Sequence, residues 1–173
     1  MTAKQEKILN AALELFAHEG YNVVSTSKIA QKAGVSEGLI FRHFESKQGL
    51  LNAILQQAFD KVAELYAPIL IEENPKQALV KAITLLFEGD EEEYHFWKLQ
   101  YKLKWELEIS GREKTKPFLN KLSWAFEALG YSNPQKEAEV LQHILESILG
   151  GIIKDGMASQ QHLKEFLLDK YQL

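Results

Sequence analysis

The sequence predicts an all-α protein of about nine helices, and three observations support that prediction. Apolar residues recur with a period of about 3.6 in nearly every segment, whereas no segment alternates convincingly between apolar and polar residues. Serine, proline and glycine stand where helices are expected to begin and end. The composition, 46% apolar and 25% charged over 173 residues, is that of an ordinary globular protein with a sizeable core.

Four helices are expected in the first 67 residues. The first has one apolar side and ends near Gly20. Ser25 is a suitable N-cap for a second helix that ends at Gly34, and Ser36 for a third that ends near Phe44. A fourth helix of about 20 residues, capped by Ser46, continues to about residue 67 and is long enough to connect two regions.

Five helices are expected in the rest of the chain. Pro75 suits the first turn of the fifth, which closes near Gly89. Gly130, Pro134 and Gly156 separate the later ones. The predicted ranges are a sixth helix to about Ser110, a seventh over 115–129, an eighth over 134–155 and a ninth over 159–171.

Composition excludes several kinds of site and location. Without cysteine there is no disulfide, no thiolate metal site and no cysteine nucleophile, which fits a cytoplasmic protein. No run of about 18 uncharged apolar residues exists, so no membrane partner is expected. The N-terminus is polar and leads directly into an amphipathic helix, so no secretory signal is expected.

Charge is distributed unevenly along the chain. The net charge is −4, which alone argues against nucleic acid, but residues 1–50 carry +1 and residues 51–173 carry −5. The N-terminal region is therefore the less acidic end.

The third helix has more apolar side chains than a small core can use. On a helical wheel Ile40 and Phe44 share the inner face, where they can pack with Ile29, Ala30 and Val35. The outward side chains are those of Glu37, Gly38, Leu39, Phe41 and Arg42. Apolar residues exposed beside an arginine are typical of a contact surface.

This layout is that of a helix-turn-helix, whose second helix enters the major groove of DNA. Gly38 lets the backbone approach closely, Leu39 suits a thymine methyl group and Glu37 suits the cytosine amino group. Arg42 can reach guanine or phosphate. The full predicted DNA-binding set is Thr26, Ser27, Lys28, Ser36, Glu37, Gly38, Leu39, Phe41, Arg42, His43 and Lys47. A helical hairpin without a DNA role, a packing role for His43, and a Phe41 folded back onto the fourth helix are the alternatives.

Residues 8–51 resemble the DNA-binding region of the tetracycline-repressor (TetR) family. The features that carry the resemblance are Ile8-Leu9, Ala12, Leu15-Phe16, Gly20-Tyr21, Ile29-Ala30, Ala33-Gly34-Val35-Ser36, Gly38, His43-Phe44, Lys47 and Leu50-Leu51. The resemblance implies a DNA-binding domain over 1–48, joined by the long fourth helix to an effector-binding and dimerisation domain over 49–173. It implies a homodimeric regulator, a repressor released from a palindromic double-stranded DNA operator by a small apolar or aromatic effector.

Two positions depart from the family pattern. Phe41 stands where the family usually has a tyrosine that bonds a phosphate, so one backbone contact is expected to be missing. Lys28 stands where the family often has an acid, so a positive charge near the DNA backbone is gained.

The sixth helix has an aromatic side and an aliphatic side. Tyr94, Trp97, Tyr101 and Trp105 fall within about 80° of arc at 3.6 residues per turn. These rings suit either ordinary core packing or the wall of a small-molecule cavity. The predicted ligand-binding set, placed by the resemblance in a pocket of the second region, is Phe87, Tyr94, Trp97, Tyr101, Trp105, Phe118 and Trp124.

The eighth helix is apolar over more than half its circumference, which is wider than packing on one core requires. The surplus suggests a second partner, and the resemblance implies a four-helix dimer interface made by the last two helices. The alternative is complete burial in the core of the chain itself. The predicted interface set is Leu141, Leu145, Ile148, Ile152, Leu163, Phe166 and Leu167.

No sequence feature supports catalysis, a metal site or a cofactor. The chain lacks a Ser/His/Asp order, a glycine-rich phosphate loop and an HExxH motif, and its five histidines are scattered. Besides the regulator, two other classes stay open: a helical protein–protein interaction module with a vestigial DNA-binding region, and a small-molecule carrier.

Overall fold

The computed structural model describes residues 1–89, 91–107 and 112–173. Within these ranges the chain forms nine α-helices and two short 3-10 turns, with no strand, which confirms the predicted all-α class. The helices are α1 Ala3–Glu19, α2 Thr26–Ala33, α3 Glu37–Phe44, α4 Lys47–Leu70, α5 Pro75–Thr84, α6 Glu91–Glu106, α7 Arg112–Ala128, α8 Pro134–Asp155 and α9 Gln161–Lys170.

Helix boundaries differ from the expected ones at four places, one of which is the start of α7 at Arg112 instead of residue 115. Helix α4 continues past residue 67 through Pro68 to Leu70. Helix α5 ends at Thr84 because the chain tightens there into a 3-10 turn over Leu85–Phe87. A second such turn, Met157–Ser159, delays the start of α9. The predicted end of the sixth helix near residue 110 lies outside the described residues.

Capping hydrogen bonds from side chains stabilise several of the helix starts. The Lys28 amide donates to Ser25 Oγ at 3.2 Å, and the Gly49 amide donates to Ser46 Oγ at 3.0 Å. Asn74, which sequence reasoning did not single out, caps α5 by accepting from the Gln77 amide at 3.1 Å.

The chain divides into two compact units, and the first comprises residues 1–61 with 96–110. Its core is built from α1 to α4 and from the inner side of α6. Completely buried side chains in it include Ile8, Phe16, Ile40, Leu50 and Leu103.

The second unit comprises residues 62–95 with 111–173. Its core joins side chains of α5, α7, α8 and α9 with the end of α4. Leu79, Leu122, Phe126 and Leu141 are completely buried, and Tyr66 stacks on Phe118 with ring centroids 4.2 Å apart.

The division between units differs from the predicted boundary at residues 48/49. The start of α4 buries Leu50, Leu51 and Ile54 in the core of the first unit, and α6 adds Leu99 and Leu103 to the same core. The first unit therefore packs around a segment that lies far along the chain. The assignment of DNA binding to 1–48 and of effector binding to 49–173 stays a prediction.

None of the helices in the described ranges is both long and apolar enough to cross a membrane.

Candidate nucleic-acid interface

Helices α2 and α3 form a tight two-helix turn because of the residues between them. Gly34 takes the left-handed conformation with φ 68°, which a residue with a side chain adopts only under strain. The Val35 amide then donates to the Ala30 carbonyl at 3.0 Å, which ends α2. Ser36 begins α3 two residues after the glycine, so the turn has the compactness that a helix-turn-helix requires.

The outward side of α3 is open at its first turn. Gly38 and Arg42 are exposed, and Phe41 is 46% exposed. A Cβ atom placed on Gly38 would meet nothing within 4 Å, so the backbone there can be approached closely. Ile40, on the opposite side, is completely buried and fixes the helix on the core.

Leu39 lies differently from the helical-wheel prediction, and the structure adds detail for Ser36 and His43. Leu39 is half-buried and packs against the first core, because it borders the inner face that Ile40 occupies. Ser36 is the N-cap residue, yet its hydroxyl makes no capping bond. His43 is half-buried and touches Phe44 edge to face at 6.2 Å, which is the packing role left open above.

A hydrogen bond that sequence reasoning missed joins the two helices. The Thr26 hydroxyl donates to Glu37 Oε1 at 2.5 Å. The bond fixes the orientation of the Glu37 carboxylate at the start of α3, where a base contact is expected. The two residues lie at the starts of two different helices, so only the folded turn brings them together.

The cations of this region are of two kinds. Lys28 is paired with Glu19, and Lys32 with Glu14 at 2.8 Å, so neither presents an unmatched charge. Arg42 has no ion-pair partner in the part of the chain that the structure describes. The positive charge expected from Lys28 is thus largely neutralised within the protein itself.

Lys47, at the start of α4, is held in place without a carboxylate. Its ammonium lies 4.5 Å from the ring centroid of Tyr21 and donates to the Asn22 carbonyl at 3.3 Å. No carboxylate among the described residues pairs with Lys47, so its ammonium stands in a defined position at a helix start, where phosphate is favoured.

Tyr21 connects Lys47 to a distant helix. Its amide donates to Glu106 Oε1 of α6 at 3.2 Å, and its hydroxyl donates to Gln48 Oε1 at 3.1 Å. Burial raises the pKa of the Tyr21 phenol. The cluster of Tyr21, Lys47, Gln48 and Glu106, called here the Tyr21 junction, was not predictable because 85 residues separate its first and last members.

The corner between α3 and α4 requires a glycine. A Cβ atom at Gly49 would lie 2.0 Å from the Phe44 carbonyl oxygen, far inside contact distance. Glu45, in the corner itself, has φ 65°. The relative placement of α3 and α4 therefore depends on the absence of a side chain at position 49.

The predicted dimer-interface residues lie mostly inside the second unit. Leu141, Leu145, Ile148, Ile152 and Leu167 are at most 5% exposed, so for them the predicted partner contact does not hold. The core of the unit itself covers much of the wide apolar arc of α8, because α5, α7 and α9 also bury side chains there, whereas Val140 of the same helix is 51% exposed. Of the remaining two, Leu163 is half-buried and Phe166 is 60% exposed.

The predicted ligand-binding residues are divided between the two units. In the second unit Phe87 and Phe118 are buried, Tyr94 is half-buried with its hydroxyl donating to the Leu86 carbonyl, and Trp124 is 37% exposed. The ammonium of Lys121 lies 3.7 Å from the Trp124 ring centroid.

The other three aromatic residues belong to the first unit. Trp97 is half-buried and touches Phe96 edge to face at 5.0 Å. Tyr101 and Trp105 are 45% and 78% exposed and line an open depression, so these two do not form the enclosed wall that was expected.

Residues 8–54 match the family described as bacterial regulatory proteins of the tetR family. The helix-turn-helix transcriptional regulator YuxN of Bacillus subtilis is 34% identical over 103 residues, which are 59% of this chain and 35% of that protein. The match thus spans about a third of the length of YuxN. The transcriptional repressor AcnR of Corynebacterium glutamicum is 28% identical over 167 residues, or 88% of this chain and 81% of that protein.

The fold is also that of known regulators. The structure of the fatty acid degradation regulator FadR from Bacillus halodurans superimposes with a TM-score of 0.70 over 97% of this chain and 96% of its own, at 21% identity. At that identity the likeness establishes the fold alone. The matched segment, residues 8–54, includes α2, the turn and α3, so the part of the chain that is similar to the tetR family of bacterial regulatory proteins is the part that holds the helix-turn-helix.

Proposed function

We propose that this protein is a DNA-binding transcriptional regulator, a ligand-released repressor that acts as a homodimer on a palindromic operator. The observation that carries the proposal is the outward side of α3. Gly38 has open space before it, and Arg42 is exposed without a carboxylate partner among the described residues. Lys47 begins the next helix, α4, and is fixed by Tyr21.

These groups suit the major groove. The open backbone at Gly38 admits base edges, Arg42 suits guanine or a phosphate, and the oriented carboxylate of Glu37 suits the cytosine amino group. Lys47 and the amides at the start of α2 suit phosphates on either side. Two copies of α3 in a twofold dimer would read half-sites about 34 Å apart.

The dimer contact would use the outward stripe of α8 and α9 rather than the buried leucines. Val140 is 51% exposed, His143 and Ser147 follow it on the same side of α8, and Phe166 of α9 is 60% exposed. Exposed apolar residues of this size on the last two helices support an association surface.

Repression is supported by the name of the similar protein AcnR, a transcriptional repressor. Ligand release is supported by the number of aromatic side chains among the described residues of α6 and α7. An interaction module without DNA binding would have no need of an unobstructed Gly38 or of an unpaired Arg42.

The DNA proposal is tested by selecting fragments from a genomic pool with the purified protein and measuring affinity for the selected sequence. We expect enrichment of a near-palindrome. Gly38→Trp should abolish DNA binding without unfolding the protein, since the position is open. Arg42→Ala should weaken DNA binding and reduce the slope of the logarithm of the binding constant against the logarithm of the salt concentration, called the salt slope, by about one. Failure to enrich any sequence, with a folded dimer, would favour the interaction module.

The dimer proposal is tested by a matched set of substitutions and by sedimentation. Phe166→Asp should give a folded monomer, because the side chain is exposed in the single chain. Leu145→Asp should unfold the second unit, because it buries a charge in the core. Ile71→Asp, at a residue 79% exposed outside the stripe, should leave the dimer intact. A dimer that survives Phe166→Asp would place the contact elsewhere.

A further inference from the structure

An exposed aromatic pair on α6 has no role in the core of the first unit. Tyr101 and Trp105 are one turn apart, 45% and 78% exposed, while Leu99 and Leu103 make the core contacts from the other side of the helix. A tryptophan with most of its surface in water loses hydrophobic stabilisation that burial would provide. Large apolar groups exposed together mark binding sites more often than chance.

The two rings form one surface rather than covering each other. Their planes are within 15° of parallel, and their centroids are 6.4 Å apart, compared with 4.2 Å in the stacked pair of Tyr66 and Phe118. Each ring therefore leaves face area uncovered. A flat molecule can stack on that area without moving either side chain.

The rings border a depression that has the size of a small-molecule site. Its volume is about 500 Å³, and it is open to solvent. Ala17 of α1 lies on one side, and Tyr101, Lys102, Trp105 and Glu106 of α6 line the rest. All five residues belong to the first unit.

The fixed charge of this depression is negative. Glu106 is held by the Tyr21 amide, which donates to Oε1 at 3.2 Å, so its carboxylate cannot turn away freely. Lys102 is exposed and has no ion-pair partner among the described residues, and its flexible stem can keep the ammonium in water. Aromatic ring faces also attract positive charge.

We propose that this depression, the α1–α6 site, binds planar aromatic cations. The ring system would lie on Tyr101 and Trp105, and its positive charge would face the Glu106 carboxylate. The site goes beyond the proposed function, because it assigns a ligand class to a surface of the first unit and stands whether or not the protein binds DNA.

The test is a titration of the full-length protein, without DNA, followed by nuclear magnetic resonance of the tryptophan indole groups. The chain has three tryptophans, so three indole N–H signals are expected, each assignable by a Trp→Phe variant. N-Methylquinolinium is the probe, with neutral quinoline and anionic 2-naphthoate as bicyclic controls at neutral pH. We expect a saturable shift of the Trp105 signal and an unmoved Trp124 signal.

Affinity should follow charge. At an exposed site quinoline should bind roughly two- to fivefold more weakly than the cation, and 2-naphthoate more weakly still. Glu106→Gln keeps an acceptor for the Tyr21 amide but removes the charge, so it should lower the affinity for the cation towards that for quinoline. Glu127→Gln, at an exposed glutamate of α7, is the matched control and should change nothing. Lys102→Met should tighten cation binding by removing repulsion.

Three results would overturn the proposal. In the first, the Trp105 signal does not move at millimolar N-methylquinolinium. In the second, the cation and quinoline bind with equal affinity, both to the natural protein and to the Glu106→Gln variant. In the third, the cation shifts only the signal of Trp97 or of Trp124. Trp105→Ala, followed by calorimetry, should abolish binding while circular dichroism stays unchanged, since the ring is mostly exposed. Because DNA is absent throughout, failure here leaves the DNA-binding proposal untouched.

Discussion

Gly38, at the start of α3, and Gly49, at the start of α4, should respond oppositely to substitution by alanine. Gly38→Ala places a methyl group in open space, since nothing lies within 4 Å of the new Cβ. Alanine is favoured over glycine in helices by up to about 1 kcal/mol, and somewhat less in the first turn. The variant should therefore be slightly more stable than the natural protein.

Gly49→Ala places the same methyl group 2.0 Å from the Phe44 carbonyl oxygen. Ordinary contact needs about 3.4 Å, so the backbone must yield by about 1.4 Å, and overpacking of this kind costs about 1–3 kcal/mol or more. For a chain of this length, about 1 kcal/mol shifts Tm by roughly 2–4 °C. Thermal unfolding should thus show a small rise for the first variant and a clear fall for the second.

The affinity for DNA gives a second test of Gly38→Ala. Gly38→Ala should lose about tenfold in affinity, equivalent to about 1.4 kcal/mol, although it is the more stable protein. Its salt slope should stay unchanged because no charge is altered. Fluorescence anisotropy with the selected operator measures both. If Gly38→Ala and Gly38→Trp both bound DNA as tightly as the natural protein, α3 would not enter the groove by its first turn.

Three further predictions concern charge and burial. Glu19→Gln should release Lys28 from its ion pair, so the slope of the logarithm of the DNA-binding constant against the logarithm of the salt concentration should become steeper by about one. An unchanged slope, measured by fluorescence anisotropy, would mean that Lys28 lies away from phosphate. Gln100 Nε2 donates to the Ile54 carbonyl at 3.2 Å, but Gln100 Oε1 is buried without a partner among the described residues, so Gln100→Met should raise the free energy of unfolding by about 1 kcal/mol in urea titrations; a fall would show that the bond to Ile54 outweighs the unpaired oxygen. The hydrogen bond from Lys81 lowers the pKa of Glu72, so its stabilising contribution is present above the ordinary glutamate pKa and is lost as pH falls through the lowered value. The stability difference between the natural protein and Glu72→Gln should vanish in acid, and a difference that persisted there would refute the role of the ion pair.

The sequence predicted the helices and the inner face of α3 well, because both depend on local periodicity. Ser25, Ser46 and Pro75 began helices as expected, and Ile40 reached the core. These features need only residues within a turn or two of each other.

The contacts that shape the site were not predictable in the same way. The Thr26–Glu37 bond and the Tyr21 junction join residues that only the fold brings together. The wide apolar arc of α8 was ambiguous for a different reason, since a helical wheel gives the apolar area but not which neighbour covers it. In the structure much of that cover comes from the chain itself.

The composition of the first unit has a consequence for synthesis on the ribosome. Residues 96–110, with Leu99, Leu103 and Glu106 among them, complete a unit whose other part, residues 1–61, is synthesised first. At about 5–20 residues per second, roughly 2–9 seconds pass between the emergence of residue 61 and that of residue 107. During that interval the N-terminal helices lack part of their core. We therefore expect that the N-terminal 48 residues do not form a portable module, and that a chimera carrying them alone would need a substitute for the inner side of α6.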